Sequence, residues 1–382
     1  MTMTMPGDRP RHQEWSALAP VPAGLSGARE LIRRSAVVRS AGGDSASIEA
    51  DRRALTAMLG DRQWAALEWP ELLDGLTALG RTDIPFARLA EGHIDALRIL
   101  RQAGRDPVPG ALYGVWASRS GGGGLSATEE IGEWRLSGSV PFASGSGLLD
   151  RALVTAALQP PTPQRMRPAE PSTAAPEAPK PAAAQPIQLL LDVSVRDWSP
   201  DPASWPTTAM AASRSFTVEV PDRSVPADAQ VGPPDFYLGR PGFFPGGVGV
   251  AAVWAGGGAR VADLVACFIC ASPKDPDQTT RNQLGRLSIE VAAANSLVVF
   301  GGLRLAGLHA AVSQDRNALQ RLSTEVRAGV GAAVRRLLEI ARGLAGPAGL
   351  GHDGELSSAI ADLDLYVRQQ HSDRDAEYLG LP

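Results

Sequence analysis

Residues 112–157 constrain the fold more than any other part of the sequence. Short runs of strand-forming residues at 112–118 and 134–136 flank a glycine run, and a further apolar run follows at 152–158. Strand-forming runs interrupted by Gly, Ser and Pro are typical of a sheet whose strands are joined by turns. The sequence therefore predicts an antiparallel β-domain in the middle of the chain, over residues 109–235.

Helical periodicity precedes and follows this β-rich region. Apolar residues recur at spacings of three and four in residues 86–100, and a similar stripe runs from Leu319 to Leu344. Such stripes mark the buried face of a helix, and the second one favours an antiparallel bundle. We expect an α+β fold: a helical domain in residues 1–108, irregular over roughly the first 45, then the β-domain, then a bundle in residues 236–382. The charged residues beside the long stripe, Arg327 and Arg335 among them, are expected to face water.

Residues 159–186 interrupt the predicted β-domain. Nine of these 28 residues are proline, and Met166 is the only large apolar side chain. Because such a segment cannot bury enough surface to offset its conformational entropy, we expect it to be disordered. The strands on either side, residues 151–158 and 187–193, are predicted to pair, since the entropy of loop closure grows slowly with loop length.

Charge and cysteine content exclude several kinds of partner. The 37 Lys and Arg residues against 41 Asp and Glu residues give a net charge of -4, with no basic stripe, so nucleic acid is not an expected partner. The charge-free residues 241–259 contain seven glycines and two prolines, which favours close helix packing over membrane insertion. Cys267 and Cys270 lack further metal ligands at suitable spacing, so we expect buried structural thiols, no metal and a cytoplasmic location.

Three further segments show a resemblance to one family. Residues 80–97 look like the helix that precedes the β-domain in part of the acyl-CoA dehydrogenase superfamily. Residues 342–350 resemble the glycine-rich turn between its last two long helices, and residues 367–375 are similar to its final helix. With residues 112–157, the chain resembles this superfamily over nearly everything after residue 50.

The resemblance implies a flavin site. In that family FAD lies between the β-domain and the C-terminal bundle, where protein groups orient it. Two segments of this chain correspond to those that contact the flavin, and they give six candidate residues: Val115, Trp116, Ala117, Ser118, Phe142 and Ser144. The aromatic residues are candidates for stacking and the serines for hydrogen bonding, while roles as core aromatics or turn serines stay open. FAD is the expected cofactor, with FMN as the alternative.

The sequence departs from the family pattern at the catalytic base. Desaturation of an acyl thioester requires a carboxylate that removes the α-proton. The two segments where relatives carry that Glu, residues 240–247 and 365–368 here, contain no acid. Four carboxylates lie nearest in sequence and are expected to be solvated: Asp235, Asp263, Asp362 and Asp364. The catalytic residues therefore stay unidentified.

Three functions follow from the resemblance and its departures. The first is an FAD-dependent acyl-CoA dehydrogenase-type oxidoreductase, a homodimer or homotetramer that acts on an acyl-CoA and passes electrons to an acceptor flavoprotein. The second is a flavin-dependent monooxygenase of the same fold, which needs no α-proton base and in which His371 would lie near the flavin. The third is a catalytically degenerate structural or partner subunit. Family membership makes the first the default expectation.

Overall fold

The computed structural model describes residues 24–41, 44–118, 123–159, 186–310 and 315–380. Within these residues, helices precede and follow a single seven-stranded sheet. The first helices are α1 (Gly24–Ser40), α2 (Asp44–Leu59), α3 (Trp69–Thr82) and α4 (Ile84–Gln102). The later ones are α5 (Phe236–Gly239), α6 (Phe243–Cys270), α7 (Gln278–Ala310), α8 (Arg316–His352), α9 (Gly354–Val367) and α10 (Ser372–Gly380). This order confirms the predicted α+β class, while the exact domain limits stay a prediction.

Helix α4 begins and ends where the sequence carries helix signals. The carboxylate of Asp83 accepts a hydrogen bond from the N–H of Phe86 at 3.0 Å, and Pro85 lies in the first turn. After the last turn, Gly104 adopts a φ of +67°, which favours glycine because it has no Cβ. Through His93, whose Nδ1 accepts the N–H of Tyr113 at 3.0 Å, α4 is joined to the first strand of the sheet.

The sheet is built around its fourth strand. The strands are β1 (Tyr113–Trp116), β2 (Gly124–Glu130), β3 (Glu133–Ala143), β4 (Arg151–Gln159), β5 (Gln188–Ser194), β6 (Pro200–Asp201) and β7 (Phe216–Pro226). β4 pairs antiparallel with β5, which confirms the predicted pairing across the proline-rich segment. The predicted disorder of that segment concerns residues 160–185, which lie outside the described residues.

The prediction of a wholly antiparallel sheet is wrong for two pairings. One half of β4 pairs in parallel with β1 and the other half with β2. β2 and β3 form an antiparallel hairpin, and a second reversal between β3 and β4 returns the chain to its first direction. β1 and β2 therefore lie along the same edge of β4 as two halves of one interrupted strand.

Long helices form the second half of the core. The stripe from Leu319 to Leu344 lies on α8, where Val326, Val330 and Leu337 are fully buried, as the periodicity predicts. α8 bends at Gly346, whose φ is +56°, one residue before Pro347. This bend lies in the segment that resembles the glycine-rich turn of the superfamily.

Glycine allows α6 to pack directly on α3. A Cβ on Gly256 would lie 2.0 Å from the carbonyl oxygen of Thr77, and one on Gly80 would lie 2.3 Å from the carbonyl oxygen of Val253. Neither contact could form with any other residue type, so the two backbones touch only because these positions lack side chains. The glycine-rich residues 241–259 thus serve close packing, as predicted from the sequence.

Among the described residues, two helices have the length and apolarity needed to cross a membrane, α6 and the segment Gln278–Leu308. In the apolar window of α6, half of the residues are buried inside the fold, and in that of the second segment one third are. Core helices of soluble proteins meet the same criterion, so the absence of membrane insertion stays a prediction.

The prediction that the two cysteines are buried is wrong. Cys267 and Cys270 are both exposed and carry free thiols. Val265 is the last buried residue of α6. The final turn, which carries both cysteines, therefore extends beyond the helices that cover the glycine-rich part of α6. Among the described residues, no group of His, Cys, Asp and Glu could hold a metal ion.

The α3–α6 contact predicts different effects for two Gly→Ala variants. Gly256→Ala is expected to lower the free energy of unfolding by about 1–3 kcal/mol, because the added methyl group forces the helices apart. Gly285→Ala on α7, where a Cβ meets nothing within 4 Å, is the matched control. Gly285→Ala should raise the free energy of unfolding by about 0.5–1 kcal/mol, because alanine has the higher helix propensity. Urea unfolding followed by circular dichroism measures both, and equal effects would contradict the packing described.

Candidate functional site

A cavity of about 530 Å³ lies where α4, the sheet and the C-terminal helices meet. Its lining includes Glu91 of α4, Val115 of β1, Phe243 of α6, Arg327 of α8 and His371, which directly precedes α10. Ligand cavities commonly measure about 300–1,000 Å³ and lie between structural units. Because it combines a predicted flavin-contacting residue with His371, this cavity is the candidate functional site.

Each carboxylate that lines the cavity has a hydrogen-bond donor. Glu91 accepts from Arg88 at 2.9 Å, and Asp95 accepts from Arg240 at 3.3 Å. Asp375 accepts from the amide of Gln370 at 2.7 Å. Burial raises the pKa of Glu91 to about 7, although the Arg88 guanidinium opposes that shift. The cavity is therefore polar at this end, with its acids engaged by neighbouring donors.

Aromatic rings form a second part of the lining. Tyr237 and Phe243 meet edge to face with centroids 5.5 Å apart, and Phe243 and Phe244 do so at 5.3 Å. Burial raises the pKa of Tyr237 to about 12, so its hydroxyl stays protonated at neutral pH. These rings add apolar surface to the cavity, and the Arg240 guanidinium lies over the Tyr237 ring, 5.4 Å from its centroid.

Arg327 faces the cavity, so the prediction that it faces water is wrong. Its guanidinium carbon lies 5.3 Å from the centroid of the Trp254 ring, which is fully buried. A Cβ on Gly247 would lie 2.9 Å from the Cδ of Arg327, so glycine leaves room for this side chain. Burial lowers the pKa of Arg327.

Arg335 also departs from the water-facing prediction. It donates to the carbonyl oxygens of Val367 and Gln370, at 3.4 and 3.1 Å, and so holds the segment that carries His371. Helices α9 and α10 cover this side of α8, a tertiary contact that the periodicity of α8 alone does not reveal.

The six predicted flavin-contacting residues occupy different environments. Val115 lines the cavity, and Ala117 and Ser118 continue beyond β1, partly buried. Trp116 is only 2% exposed, and its Nε1 donates to the carbonyl oxygen of Ser144 at 2.9 Å. Its ring is therefore covered in this structure, and a flavin-stacking role for it stays a prediction.

Phe142 presents the more accessible ring. It is 51% exposed, adopts a φ of +58° and meets Trp205 edge to face at 6.0 Å. A bulky residue with positive φ is uncommon and often marks a functional constraint. Of the two predicted aromatic candidates, Phe142 has the ring that is open to a ligand.

The hydroxyl group of Ser144 points into a chain of serines. Ser213 donates to the carbonyl oxygen of Met210 at 2.7 Å, so the 2.8 Å contact between Ser213 and Ser215 requires Ser215 as the donor. The 2.8 Å contact between Ser215 and Ser144 then requires Ser144 as the donor. In this arrangement the Ser144 proton is directed inward, and donation to a flavin stays a prediction.

The four carboxylates singled out from the sequence lie outside the cavity lining. Asp235 is exposed as expected, and Asp263 and Asp364 form ion pairs with Arg81 and Arg342. The expectation of a solvated group is wrong for Asp362, since burial raises its pKa to about 7 and it accepts the N–H of Met210.

The sequence analysis missed the carboxylates of α4. Arg88, Glu91 and Asp95 follow one another at spacings of three and four, which places them on one face of the helix. Phe86, Leu89 and Leu100 lie on the opposite face, so helical periodicity alone favours a water-facing position for these charged residues.

Solved structures match this chain over nearly its whole length, although no family profile and no curated protein matches it. Dibenzothiophene monooxygenase TdsC from Paenibacillus sp. is 15% identical, with a TM-score of 0.71 and coverage of 94% of this chain and 96% of that one. Methanesulfinate monooxygenase MsuC from Pseudomonas fluorescens is 13% identical, with a TM-score of 0.70 and coverage of 95% and 96%. XiaF from Streptomyces sp., solved in complex with FADH2, is 18% identical, with a TM-score of 0.65 and coverage of 93% and 94%. The protein has the acyl-CoA dehydrogenase fold.

The acyl-CoA dehydrogenase fold accounts for the order of elements around the cavity. Its helical N-terminal part supplies α4, its sheet supplies β1, and its C-terminal bundle supplies α6 and α8. The resemblance inferred from the sequence is thereby confirmed at the level of fold. Identities of 13–18% carry no further conclusion about the reaction.

The raised pKa of Glu91 predicts how stability depends on pH. Its folded-state pKa of about 7 exceeds the ordinary 4.5, so ionisation costs more in the folded protein. Relative to Glu91→Gln, the wild type should lose about 2–3 kcal/mol of unfolding free energy as the pH rises from 4.5 to 7. Urea titrations across that range measure the difference. Glu325→Gln, at an exposed position outside the cavity lining, is the control. A wild-type advantage that grows with pH would show that the Arg88 ion pair dominates instead.

Proposed function

We propose that this protein is a flavin-dependent monooxygenase that acts on a small organic substrate in the cavity beside Val115. The fold is one on which TdsC and MsuC, both named as monooxygenases, are built. XiaF, with the same fold, was solved with FADH2. A monooxygenase needs no carboxylate to remove an α-proton, whereas acyl-CoA desaturation does.

The observation that carries this proposal is the state of the cavity carboxylates. Glu91, Asp95 and Asp375 each accept a hydrogen bond from another side chain of the chain. A catalytic base must lie within hydrogen-bond distance of the substrate proton that it removes. A carboxylate that is hydrogen-bonded to Arg88 does this less readily than an unpaired carboxylate. His371 is exposed at the cavity and forms no ion pair with an acid within the part of the chain that the structure describes.

A second candidate is the acyl-CoA dehydrogenase reaction. One observation favours it: burial raises the pKa of Glu91 to about 7, within the range that suits a general base at neutral pH. In that case Glu91 would leave Arg88 when substrate binds, and an acceptor flavoprotein would be required for the electrons.

The residues present fit a flavin in part. Val115 opens onto a cavity of suitable volume. The half-exposed ring of Phe142 offers a stacking surface, although Phe142 is not among the residues that line this cavity. We propose these two residues, with the backbone of Ala117 and Ser118, as flavin contacts, and either FAD or FMN as cofactor. When bound and reduced, the flavin would supply the electrons for the reaction with dioxygen. One oxygen atom would enter the substrate and the other would leave as water.

The chain's own groups orient the substrate and exclude water. Arg335 fixes the segment before His371 through its bonds to the Val367 and Gln370 carbonyls. The rings of Phe243 and Phe244 cover the apolar side of the cavity. Assembly as a homodimer or homotetramer and a cytoplasmic location remain part of the proposal.

Oxygen-isotope labelling tests the proposed reaction. The protein is loaded with FMN or FAD, the flavin is reduced photochemically, and 18O2 is admitted with a panel of aromatic heterocycles. We expect 18O in at least one product by mass spectrometry, and no bleaching of the oxidised flavin by acyl-CoA under anaerobic conditions. His371→Asn should lower 18O incorporation at least ~10-fold, as expected for loss of a group that acts on the reacting atoms.

His352→Asn is the matched control, because His352 is exposed at the end of α8 and does not line the cavity. It should leave 18O incorporation unchanged. Bleaching by acyl-CoA that depends on Glu91 would favour the dehydrogenase. A protein that binds neither flavin would support the degenerate-subunit alternative.

A further inference from the structure

Two of the buried polar atoms that lack a hydrogen-bond partner belong to side chains that line the cavity. Among the described residues, five buried side-chain nitrogen or oxygen atoms have no hydrogen-bond partner. Apart from one oxygen of Asp51, they are Arg240 Nε, Ser323 Oγ, Trp254 Nε1 and Tyr366 Oη. Arg240 and Ser323 line the cavity, and Trp254 lies beneath Arg327 with Tyr366 against its edge. Buried polar atoms are normally paired, so the unpaired Ser323 hydroxyl and Arg240 Nε at the cavity indicate a site for a polar ligand.

Arg327 lines the same cavity and forms no ion pair with an anion among the described residues. Within the part of the chain that the structure describes, its guanidinium contacts the Trp254 ring and forms no ion pair or hydrogen bond. The nearby acids Glu91 and Asp375 are held by Arg88 and Gln370. A cation in a partly desolvated cavity is stabilised strongly by an anion that brings matching acceptors.

Ser323 lies one helical turn before Arg327 on α8 and lines the same cavity. The Ser323 side chain is 3% exposed, and its hydroxyl group has no partner. A hydroxyl and a guanidinium at this spacing project from the same face of the helix. Together they provide an O–H donor beside the planar fork of N–H donors that suits carboxylate, sulfonate and phosphate groups.

We propose that Arg327 and Ser323 bind the oxyanion of an organic substrate. The proposal rests on the proposed function, since it names the class of substrate that the monooxygenase would take. The rings of Phe243 and Phe244 would contact the apolar body of that substrate while its anionic group lies against α8. The phosphate of the flavin itself carries the same chemistry, so the test must separate the two sources.

Calorimetric titration of simple anions tests the proposal. The probes are benzoate and phenyl phosphate, with benzamide as a neutral analogue, and each is titrated into flavin-free and FMN-loaded protein. We expect at least one anion to bind at least ~10-fold more tightly than benzamide. Arg327→Met should weaken anion binding at least ~30-fold and Ser323→Ala about 5-fold, with benzamide affinity changed less than about 2-fold.

Arg321→Met is the matched control, since Arg321 is exposed on the same helix and pairs with Glu325. Its anion affinity should equal that of the wild type. Arg327→Lys keeps the positive charge but lacks the planar fork of N–H donors, so it should recover part of the anion affinity. This variant keeps the test usable if Arg327→Met folds poorly.

Three results would overturn the proposal. One is wild-type protein that binds neither anion more tightly than benzamide, and another is unchanged anion affinity in Arg327→Met. The third is anion binding that depends on Arg327 in flavin-free protein but disappears in FMN-loaded protein, which would assign the site to the flavin phosphate. Because binding is measured without turnover, and in flavin-free protein too, failure of the monooxygenase proposal would leave this result interpretable.

Discussion

Direct backbone contact between α3 and α6 determines where the walls of the cavity lie. Gly256 and Gly80 bring each helix against a carbonyl oxygen of the other, at distances that exclude any side chain. This contact fixes α6, and α6 in turn carries Phe243 and Gly247 at the cavity and Trp254 in the core. The Trp254 ring then supports Arg327 from below. A chain of packing contacts therefore leads from two glycines to Arg327, a cavity cation that forms no ion pair among the described residues.

A second set of contacts joins the sheet to the helices at the same place. His93 accepts the N–H of Tyr113, and burial lowers the pKa of His93 to about 4, so its ring is neutral and suited to accept this bond. Two residues further along β1, Val115 reaches the cavity. On the opposite side, Arg335 ties the segment before His371 to α8. The cavity is thus bounded by elements that are distant in sequence, and each is held by a specific polar contact.

Local periodicity predicted the helices and the order of the three regions, because a buried face imposes spacings of three and four on the residues themselves. It could not predict the parallel pairing of β4 with β1 and β2, which depends on how a hairpin returns to the sheet. Arg327 illustrates the same limit at the site. Its spacing along α8 favours a water-facing position, yet α6 and the C-terminal segment enclose that side of the helix. The inward direction of the Ser144 proton likewise follows from Ser213 and Ser215, some seventy residues away.

We infer that the cavity between Val115 and His371 binds the flavin of this protein. A crystal structure grown with excess FMN should show electron density for the isoalloxazine ring between these two residues, with the Arg327 guanidinium left open to a substrate anion. Flavin density in the separate cavity between α1 and α9, which is lined by Arg29 and Asp362, would instead rule out this site.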